Sequence, residues 1–546
     1  MNRSYNEGLS AISVEQNSKI FGKFKLAGYL VIAILVVHQI ISALIHPLRI
    51  GWDPALHLQA AQLITWGKIP YVDMLDVNPP LIWYLDAIPA AFSNLFKFPV
   101  TQAFSFFLTS VIGYSAFASF YLFTFSRQKR ERIFAIPFVL GLILFNFFLR
   151  FDSGQREDLF VLLYMPFFVL SWLSWKDTEV PGRAIKVLVG FIAGIGICLK
   201  PYFLIPAGLV ELYWLIDRRQ PRKLLRIENL AAASAGLIYV LHFLIVPAEM
   251  RENYFGFLVP AFVKGYHFWD TCLANMFSAP DKRNVFFLMV ASVVLALAIR
   301  KRSALFLPLI IFTLSSNIPY LLQFKGWAYH NQPVYAGAFI LAYMAGGLVL
   351  YHIGKYLAEV CRIKPSVAIM LIPLTVFAAA FYDLQGDYKK VAEEKKFSLE
   401  LIGGSGKTPL GDVDSPFLQY FERYFRKGDS AIFMSNGVTP GYPLLTQLSV
   451  PPGSRHLHCV ILSVLHYIKE IQPQTDKTRE LASHMREVVE QYGEDINKNK
   501  PKLIFVQIAP VDSYLAPFGF EEKYLSDYEK VDEIANFKVF VRKNNG

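Results

Sequence analysis

The amino-acid sequence predicts a polytopic α-helical membrane protein, with about eleven transmembrane helices and a C-terminal soluble α/β domain. Of its 546 residues, 54% are hydrophobic and only 18% are charged, a composition typical of integral membrane proteins. Apolar stretches long enough to cross a bilayer recur as far as residue 382, and the residues after it are rich in Lys, Glu, Gly and Asp. We therefore predict a multispan domain over residues 1–382 and a soluble domain over residues 383–546.

The predicted spans begin with residues 26–45, a stretch that is too long for a cleaved signal sequence and lacks a small-residue cleavage pattern. We interpret it as an uncleaved anchor. Residues 81–96 are also apolar, but Asp86 and Pro89 interrupt them, so we predict an interfacial or re-entrant segment there. The further predicted spans are residues 101–125, 133–149, 159–175, 184–199, 202–216, 230–246, 285–299, 304–322, 333–351 and 367–382.

The net charge of +11 comes from Lys and Arg residues that cluster in short loops, such as residues 126–132 and 217–226. Such clusters are retained on the cytoplasmic side of a membrane. Because every second loop is basic, we predict a cytoplasmic N-terminus, and an odd number of spans then places the C-terminal domain outside. Since the charge follows membrane topology, we expect membrane lipids around the chain and no nucleic-acid partner.

The predicted soluble domain contains three β-like runs, at residues 430–434, 503–508 and 537–541, which alternate with two helical patterns. This order is typical of a small layered α/β unit. The GGSG at residues 403–406 resembles a phosphate-binding loop, but no strand and helix frame it. We therefore interpret it as a linker.

Polar residues crowd into predicted outer loops that directly border apolar stretches. Charged side chains at the border of the membrane are energetically costly unless they pair with another group or serve a function. A lipid-linked phosphosugar fits this arrangement, because its head group lies at the interface while its chain stays in the bilayer. An enzyme acting on it needs a base for the acceptor hydroxyl and positive charge for the departing phosphate. The first outer loop, residues 51–84, contains the polar residues Asp53, His57, Asp73, Asp76 and Asn78.

The segment GKIPYVDMLDVNPPLIWYL at residues 67–85, the preceding Asp53 and the acidic cluster in the next outer loop together resemble the GT-C glycosyltransferases. These include protein O-mannosyltransferases and lipid A aminoarabinose transferases. The resemblance covers roughly residues 20–382. It implies a polyprenyl-phosphate sugar donor, a glycan, lipid or protein acceptor, inversion at the anomeric carbon, and a location in a bacterial inner membrane with the soluble domain in the periplasm.

The resemblance further implies that an acid in the first outer loop is the catalyst, and here that residue is Asp53. The chain has Asp53-Pro54 where the commonest family pattern has a paired acid. Asp53 is also suited to capping the helix that would begin at Pro54. His57 follows four residues later, so the two side chains could form a hydrogen-bonded pair, bind substrate or share a divalent metal. No other cofactor is expected.

Asp73, Asp76 and Asn78 are candidate ligands for sugar or acceptor hydroxyls. They stand beside Pro79 and Pro80, and Asp and Asn residues next to proline are also common in turns. Both interpretations remain open at this stage.

Two further outer segments supply candidate phosphate ligands. The second outer loop holds five ionisable residues against an apolar stretch, namely Arg150, Asp152, Arg156, Glu157 and Asp158. Arg156 is suited to binding the donor phosphate bidentately, and Glu157 is a second catalytic candidate that could orient the acceptor or help hold a metal. A local salt-bridge cluster is the plain alternative. Lys200 is the sole charge in a long apolar stretch, so it binds the donor phosphate or snorkels to the interface.

The segment FKGWAYHNQP at residues 324–333 resembles a sequence found in bacterial relatives of the GT-C transferases. Lys325 is a candidate phosphate ligand there. We expect Trp327, Tyr329 and His330 to contact substrate, since aromatic rings stack on sugar faces. An aromatic belt with a snorkelling lysine is the alternative.

Two other functional classes remain. A transporter or flippase for lipid-linked sugars or envelope lipids would also combine many spans with buried charge, but no internal repeat is visible and the charges gather at one face. An assembly subunit whose soluble domain does the work is the third hypothesis. The identity of the sugar and of the acceptor does not follow from the sequence.

Overall fold

The structure is a computed structural model that describes residues 2–45, 50–149, 152–176, 179–360, 367, 372–382 and 416–543. The predicted domain boundary at Asp383, the GGSG at residues 403–406 and Arg150 lie outside the described residues.

Helices make up almost all of the first domain. Those from residue 2 to residue 245 are α1 Asn2–Ile45, α2 Trp52–Thr65, α3 Leu81–Phe96, α4 Val100–Phe123, α5 Lys129–Arg132, α6 Ala135–Leu149, α7 Arg156–Trp175, α8 Arg183–Cys198, α9 Leu204–Arg218 and α10 Ile227–Ile245. They are followed by α11 Ala248–Arg251, α12 Val259–Gly265, α13 Leu273–Ser278, α14 Pro280–Ile299, α15 Phe306–Ser315, α16 Asn317–Gln323, α17 Gln332–Val360 and α18 Ile372–Tyr382.

Seven helical segments in the described part of the chain are long and apolar enough to cross a membrane, and the protein is a multi-pass membrane protein. Each coincides with one of the predicted spans. Three other predicted spans are the shorter helices α6, α8 and α9, of 15, 16 and 15 residues. A helix of this length rises only about 23 Å, less than the roughly 30 Å of a hydrocarbon core. The count of about eleven spans therefore stays a prediction.

Helix α7 lies at the centre of the first domain. All 20 of its residues are buried, as expected for a helix that is apolar around its whole circumference. It packs against α4, α8 and α17. Its N-terminal residue is Arg156, so the polar second outer loop runs directly into the interior of the helical domain.

The segment at residues 81–96 forms the 16-residue helix α3, with Pro89 inside it. Asp86 is fully buried. Helix α3 packs against α2 and α4. The part of the first outer loop after α2 therefore connects two helices that pack against each other.

The C-terminal domain is an α/β unit around a four-stranded sheet of order β1-β2-β4-β3. Strands β1 and β2 are parallel, and the other two pairs are antiparallel. The elements are α19 Leu418–Tyr424, β1 Ala431–Met434, α20 Gly441–Gln447, α21 Val460–Glu470, α22 Asp476–Asn499, β2 Leu503–Gln507, α23 Ser513–Leu515, α24 Phe520–Tyr524, β3 Tyr528–Ile534 and β4 Phe537–Arg542.

The predicted strands correspond to β1, β2 and β4, whereas β3 was not predicted. Its sequence YEKVDEI is charged and most of its residues are exposed or half-exposed, because it is the edge strand of the sheet. A two-residue turn joins it to β4, and both turn residues, Ala535 and Asn536, have positive φ. This is the backbone that tight hairpins favour.

The C-terminal domain rests directly on the helical domain. The amide of Leu75 donates to the carbonyl of Arg455 at 2.7 Å, and the Thr446 hydroxyl donates to the carbonyl of Ala55 at 2.9 Å. A Cβ added to Gly265 would lie 2.4 Å from the carbonyl oxygen of Val464, so α12 and α21 approach too closely for a side chain there. The C-terminal domain therefore covers part of the first outer loop.

Candidate active site

Helix α2 begins at Trp52, at the start of the first outer loop, and carries Asp53 in its first turn. The N-cap residue is Gly51, with extended backbone and no side-chain cap, so Asp53 does not occupy the capping position. An acid in the first turn still interacts favourably with the helix dipole. The carboxylate is therefore free for a role other than capping.

Asp53 is surrounded by groups of both charges. Burial raises the pKa of its carboxyl group, and the charges of Arg156 and Lys200 and hydrogen bonding from Tyr329 oppose this effect. The net pKa lies above its ordinary value. Four predicted site segments, at α2, α7, the α8–α9 connection and residues 324–333, thus interact at one carboxylate.

Arg156 and Lys200 are both buried but differ in their partners. The Lys200 ammonium binds Glu157 Oε1 at 2.5 Å and Gln323 Oε1 at 3.3 Å. Arg156 is 7% exposed, and its Nε has no hydrogen-bond partner among the described residues. Burying a charge without a partner is costly, so this guanidinium suits an anionic ligand that the site would bind.

Glu157, predicted as a second catalytic group, is the ion-pair partner of Lys200. Its Oε1 also lies 3.9 Å from His330 Nε2, whereas Oε2 has no partner in the described part of the chain. Burial lowers the pKa of Lys200 to about 8, against the raising effect of the Glu157 carboxylate. Glu157 thus holds Lys200 in place, and its catalytic role stays a prediction.

Lys325 lies near the edge of the site and is already engaged. Its ammonium binds Asp270 Oδ1 at 2.5 Å and the carbonyl of Tyr266 at 2.7 Å. Asp270 also accepts His267 Nδ1 at 2.7 Å. Since its charge is offset by Asp270, Lys325 is less available to a phosphate than Arg156.

The aromatic residues predicted from FKGWAYHNQP line the same region. The ring of Trp327 lies 5.8 Å from that of Tyr329, which lies 4.4 Å from that of His330. Tyr266 packs edge-on to Trp327 at 6.2 Å and interacts electrostatically with Asp53. Their stacking on a sugar remains a prediction.

His57 is fully buried on α2. Burial and the nearby charge of Arg156 lower its pKa to about 3, against the raising effects of Asp76 and Asn78. The imidazole is therefore neutral at physiological pH. Neither of its ring nitrogens has a hydrogen-bond partner among the described residues, so both are available to a ligand.

Asp76 and Asn78 form a local polar turn at the wall of the site. Asp76 Oδ1 accepts the Asn78 amide at 3.0 Å and its side-chain Nδ2 at 3.1 Å. Burial alone would raise the pKa of Asp76, but the nearby imidazole of His458 and the hydrogen bond from the Asn78 amide hold it below its ordinary value. Asp76 is therefore buried as an anion.

Asp73, by contrast, lies in an exposed turn. Its Oδ2 accepts the amide of Ile69 at 2.8 Å, and its Oδ1 lies 3.8 Å from Lys68 Nζ. The turn interpretation accounts for these contacts, and substrate binding by Asp73 stays a prediction.

Two neighbours of the site, Tyr266 and His458, were not among the predicted residues. Tyr266 follows α12 in a long outer loop whose many aromatic residues gave no single candidate. His458 belongs to the C-terminal domain, 382 positions from Asp76 in the sequence. The sequence feature that could have identified His458 is the pair of histidines, His456 and His458, before a helical pattern.

In the described part of the chain, no three His, Cys, Asp or Glu side chains are arranged to hold a metal ion. The divalent metal considered for Asp53 and His57 stays a prediction. No step proposed below uses a metal.

No protein-family model matches the chain, and no curated protein matches it. Among solved structures, the chain is similar to ArnT from Cupriavidus metallidurans bound to undecaprenyl phosphate, with a TM-score of 0.51 and 12% identity over 95% of this chain and 98% of that one. The apo state of the same ArnT gives a TM-score of 0.51 and 12% identity, over 94% and 97% of the two chains. The protein has the same fold as this ArnT.

A weaker likeness is to the Archaeoglobus fulgidus oligosaccharyltransferase in complex with Zn and sulfate, with a TM-score of 0.37 and 13% identity over 87% of this chain and 68% of that one. The two ArnT matches cover nearly the full length of both chains. The shared fold therefore extends over the helical domain and the C-terminal domain together, and the predicted fold class, a polytopic helical membrane protein with a C-terminal α/β domain, is confirmed.

Proposed function

We propose that the protein is a membrane glycosyltransferase that moves a sugar from a polyprenyl-phosphate donor to an acceptor hydroxyl, with inversion at the anomeric carbon. The observation that carries the proposal is the interaction of half-buried Asp53 with the buried side chains of Arg156 and Lys200 near the start of α7. The ArnT of the same fold was solved with undecaprenyl phosphate bound, which supports a polyprenyl-phosphate ligand.

In the proposed reaction, the Asp53 carboxylate takes the proton of the acceptor hydroxyl. The hydroxyl oxygen attacks the anomeric carbon of the sugar, and the bond between that carbon and the phosphate oxygen breaks. The products are the glycosylated acceptor and polyprenyl phosphate. The raised pKa of Asp53 makes it a stronger base than an ordinary aspartate.

Two cations serve the departing phosphate. Arg156 forms no salt bridge to another described residue, and its Nε has no hydrogen-bond partner there, so its planar guanidinium is available for two parallel hydrogen bonds to phosphate oxygens. Lys200 adds a second positive charge, already oriented by Glu157. Preorganised donors of this kind stabilise the charge that develops in the transition state.

The proposal places this site on the outer face of a bacterial inner membrane, with the N-terminus in the cytoplasm. The alternation of basic loops supports this orientation. Cys272 is exposed, in the loop at residues 247–284 that the proposal places outside. A variant with Cys272 as its sole cysteine should react with a membrane-impermeant maleimide in intact cells, and labelling only after lysis would refute the orientation.

The direct test is transfer by the purified protein from a panel of polyprenyl-phosphate sugars, followed by release of the lipid phosphate. Asp53→Asn should lower kcat by about 10²–10⁴-fold, because it removes the base. Asp527→Asn, a change to an exposed acid of the C-terminal domain, is the control and should retain wild-type activity.

Undiminished transfer by Asp53→Asn would refute Asp53 as the base. Movement of a lipid-linked sugar across a membrane by the wild type, without transfer to any acceptor, would refute the glycosyltransferase proposal.

A further inference from the structure

The wall of the site opposite α7 is built partly from the C-terminal domain. His458 Nε2 lies 3.7 Å from Asp76 Oδ2. Both residues are buried, with 7% and 3% of their surface exposed. The soluble domain thus brings a side chain to a buried carboxylate of the first outer loop.

The orientation of His458 follows from its own domain. The amide of Val460 donates to His458 Nδ1 at 3.3 Å, so Nδ1 is an acceptor and the ring N–H is on Nε2. The Nε2–H group therefore faces Asp76. The Tyr492 hydroxyl donates to the His458 carbonyl at 3.1 Å, which fixes the backbone of the same residue.

The segment before His458 is anchored on both sides. Arg455 donates to Asp495 through its backbone amide at 2.7 Å and through Nη2 at 2.9 Å, and Ser454 donates to the same carboxylate at 3.0 Å. On the other side, the Arg455 carbonyl accepts the amide of Leu75, next to Asp76. The ring that faces Asp76 is therefore held by a rigid support and not by a mobile loop.

Asp76 connects this support to the reacting groups. Its charge acts on both Asp53 and His57, and it orients the Asn78 side chain that neighbours His57. A shift of the Asp76 carboxylate would change the electrostatic environment of the proposed base without removing any group that contacts the phosphate.

We infer that the soluble domain completes the active site, with His458 as a positioning residue that holds the Asp76 carboxylate beside Asp53 and His57. This inference rests on the proposed function. It assigns the C-terminal domain a part in catalysis that its sequence alone does not indicate, since the site is incomplete without it.

A double-mutant cycle on transfer activity tests the coupling. His458→Ala and Asp76→Asn are each expected to lower kcat by about tenfold, with little change in the KM of the donor, because the Arg156 and Lys200 region stays intact. The double variant should be no worse than the more impaired single variant. His458→Gln, whose amide can still donate to Asp76, should restore most of the activity.

His466→Ala is the matched control, since His466 is an exposed histidine on α21 of the same domain. It should leave kcat unchanged and combine additively with Asp76→Asn. Thermal unfolding of each variant separates loss of folding from loss of positioning.

Multiplied effects in the His458→Ala, Asp76→Asn double variant, or full activity of His458→Ala, would overturn the inference while leaving the proposed function intact. Failure of the wild type to transfer sugar from any donor would refute the proposed function, and this inference with it.

Discussion

The central helix α7 carries buried polar contacts at both of its ends, and the two groups are paired differently. At its C-terminal end, the Ser171 hydroxyl and the indole of Trp175 both donate to the carboxylate of Glu211. Arg226 binds the same carboxylate at 2.9 Å, and its Nε lies 3.2 Å from Glu228. Each charge there has an opposite charge beside it.

The N-terminal end of α7 is organised otherwise. Lys200 pairs with Glu157, but Arg156 has no ion-pair partner among the described residues, and the Asp53 carboxyl group has a raised pKa. A closed charge network stabilises the packing of helices, whereas unpaired buried charges cost stability and persist where a ligand needs them. We therefore assign a structural role to the charges at the C-terminal end of α7, and the proposed catalytic role to those at its N-terminal end.

The largest effect is expected on stability at the closed end. Arg226→Met removes the positive charge that pairs with the carboxylates of Glu211 and Glu228, so the free energy of unfolding should fall by about 3–5 kcal/mol. The measurement is denaturation in detergent. Arg127→Ala is the control, because Arg127 and Glu179 also lie 2.9 Å apart but are exposed; it should cost less than about 1 kcal/mol. Equal losses would remove the distinction between buried and exposed pairs.

At the open end, Arg156→Met should act on activity and not on stability. Loss of a preorganised donor to the phosphate lowers kcat by about 10²–10³-fold. The unfolding midpoint should not fall, because the substitution removes a buried charge that has no partner. Arg156→Lys keeps the charge and should recover part of the rate. A large drop in the unfolding midpoint of Arg156→Met would instead make Arg156 a structural residue.

The pH dependence of kcat/KM separates the two ends further. Asp53 must be ionised to act as a base, so activity is lost as pH falls through its raised pKa. Activity also falls as pH rises through about 8, where Lys200 loses its proton. Lys200→Arg should abolish this alkaline limb, whereas Arg226→Met should leave both limbs in place. An unchanged alkaline limb in Lys200→Arg would assign it to another group.

The smallest effect is expected at Asp73. Since an asparagine oxygen can also accept the amide of Ile69, Asp73→Asn should change kcat/KM by less than about twofold and barely affect stability. Steady-state transfer assays with the donor panel measure this. A loss above about tenfold would instead place Asp73 in substrate binding.

The helical domain was largely predictable because hydropathy is a local property. A charge set against an apolar stretch, as at Arg156 or Lys200, is visible in a few neighbouring residues. What remained beyond prediction was pairing between distant segments. Lys325 was predicted as a phosphate ligand from its own segment alone, whereas in the structure it forms an ion pair with Asp270 of another loop.

The C-terminal domain shows the same limit. Its buried strands follow from their apolar residues, whereas the charged edge strand β3 resembles a surface loop. Its contact with the first outer loop left no local pattern, because His458 and Asp76 gain their significance only from the packing of the two domains.

The hydrogen bond from Thr446 to Ala55 joins residues that are 391 positions apart. At about 5–20 residues per second of synthesis, roughly 20–80 s separate the appearance of the two partners on the ribosome. During this interval, the first turn of α2 lacks its contact with the C-terminal domain. A prematurely terminated chain would therefore leave the Ala55 carbonyl without this hydrogen bond and the first turn of α2 without its cover from the C-terminal domain.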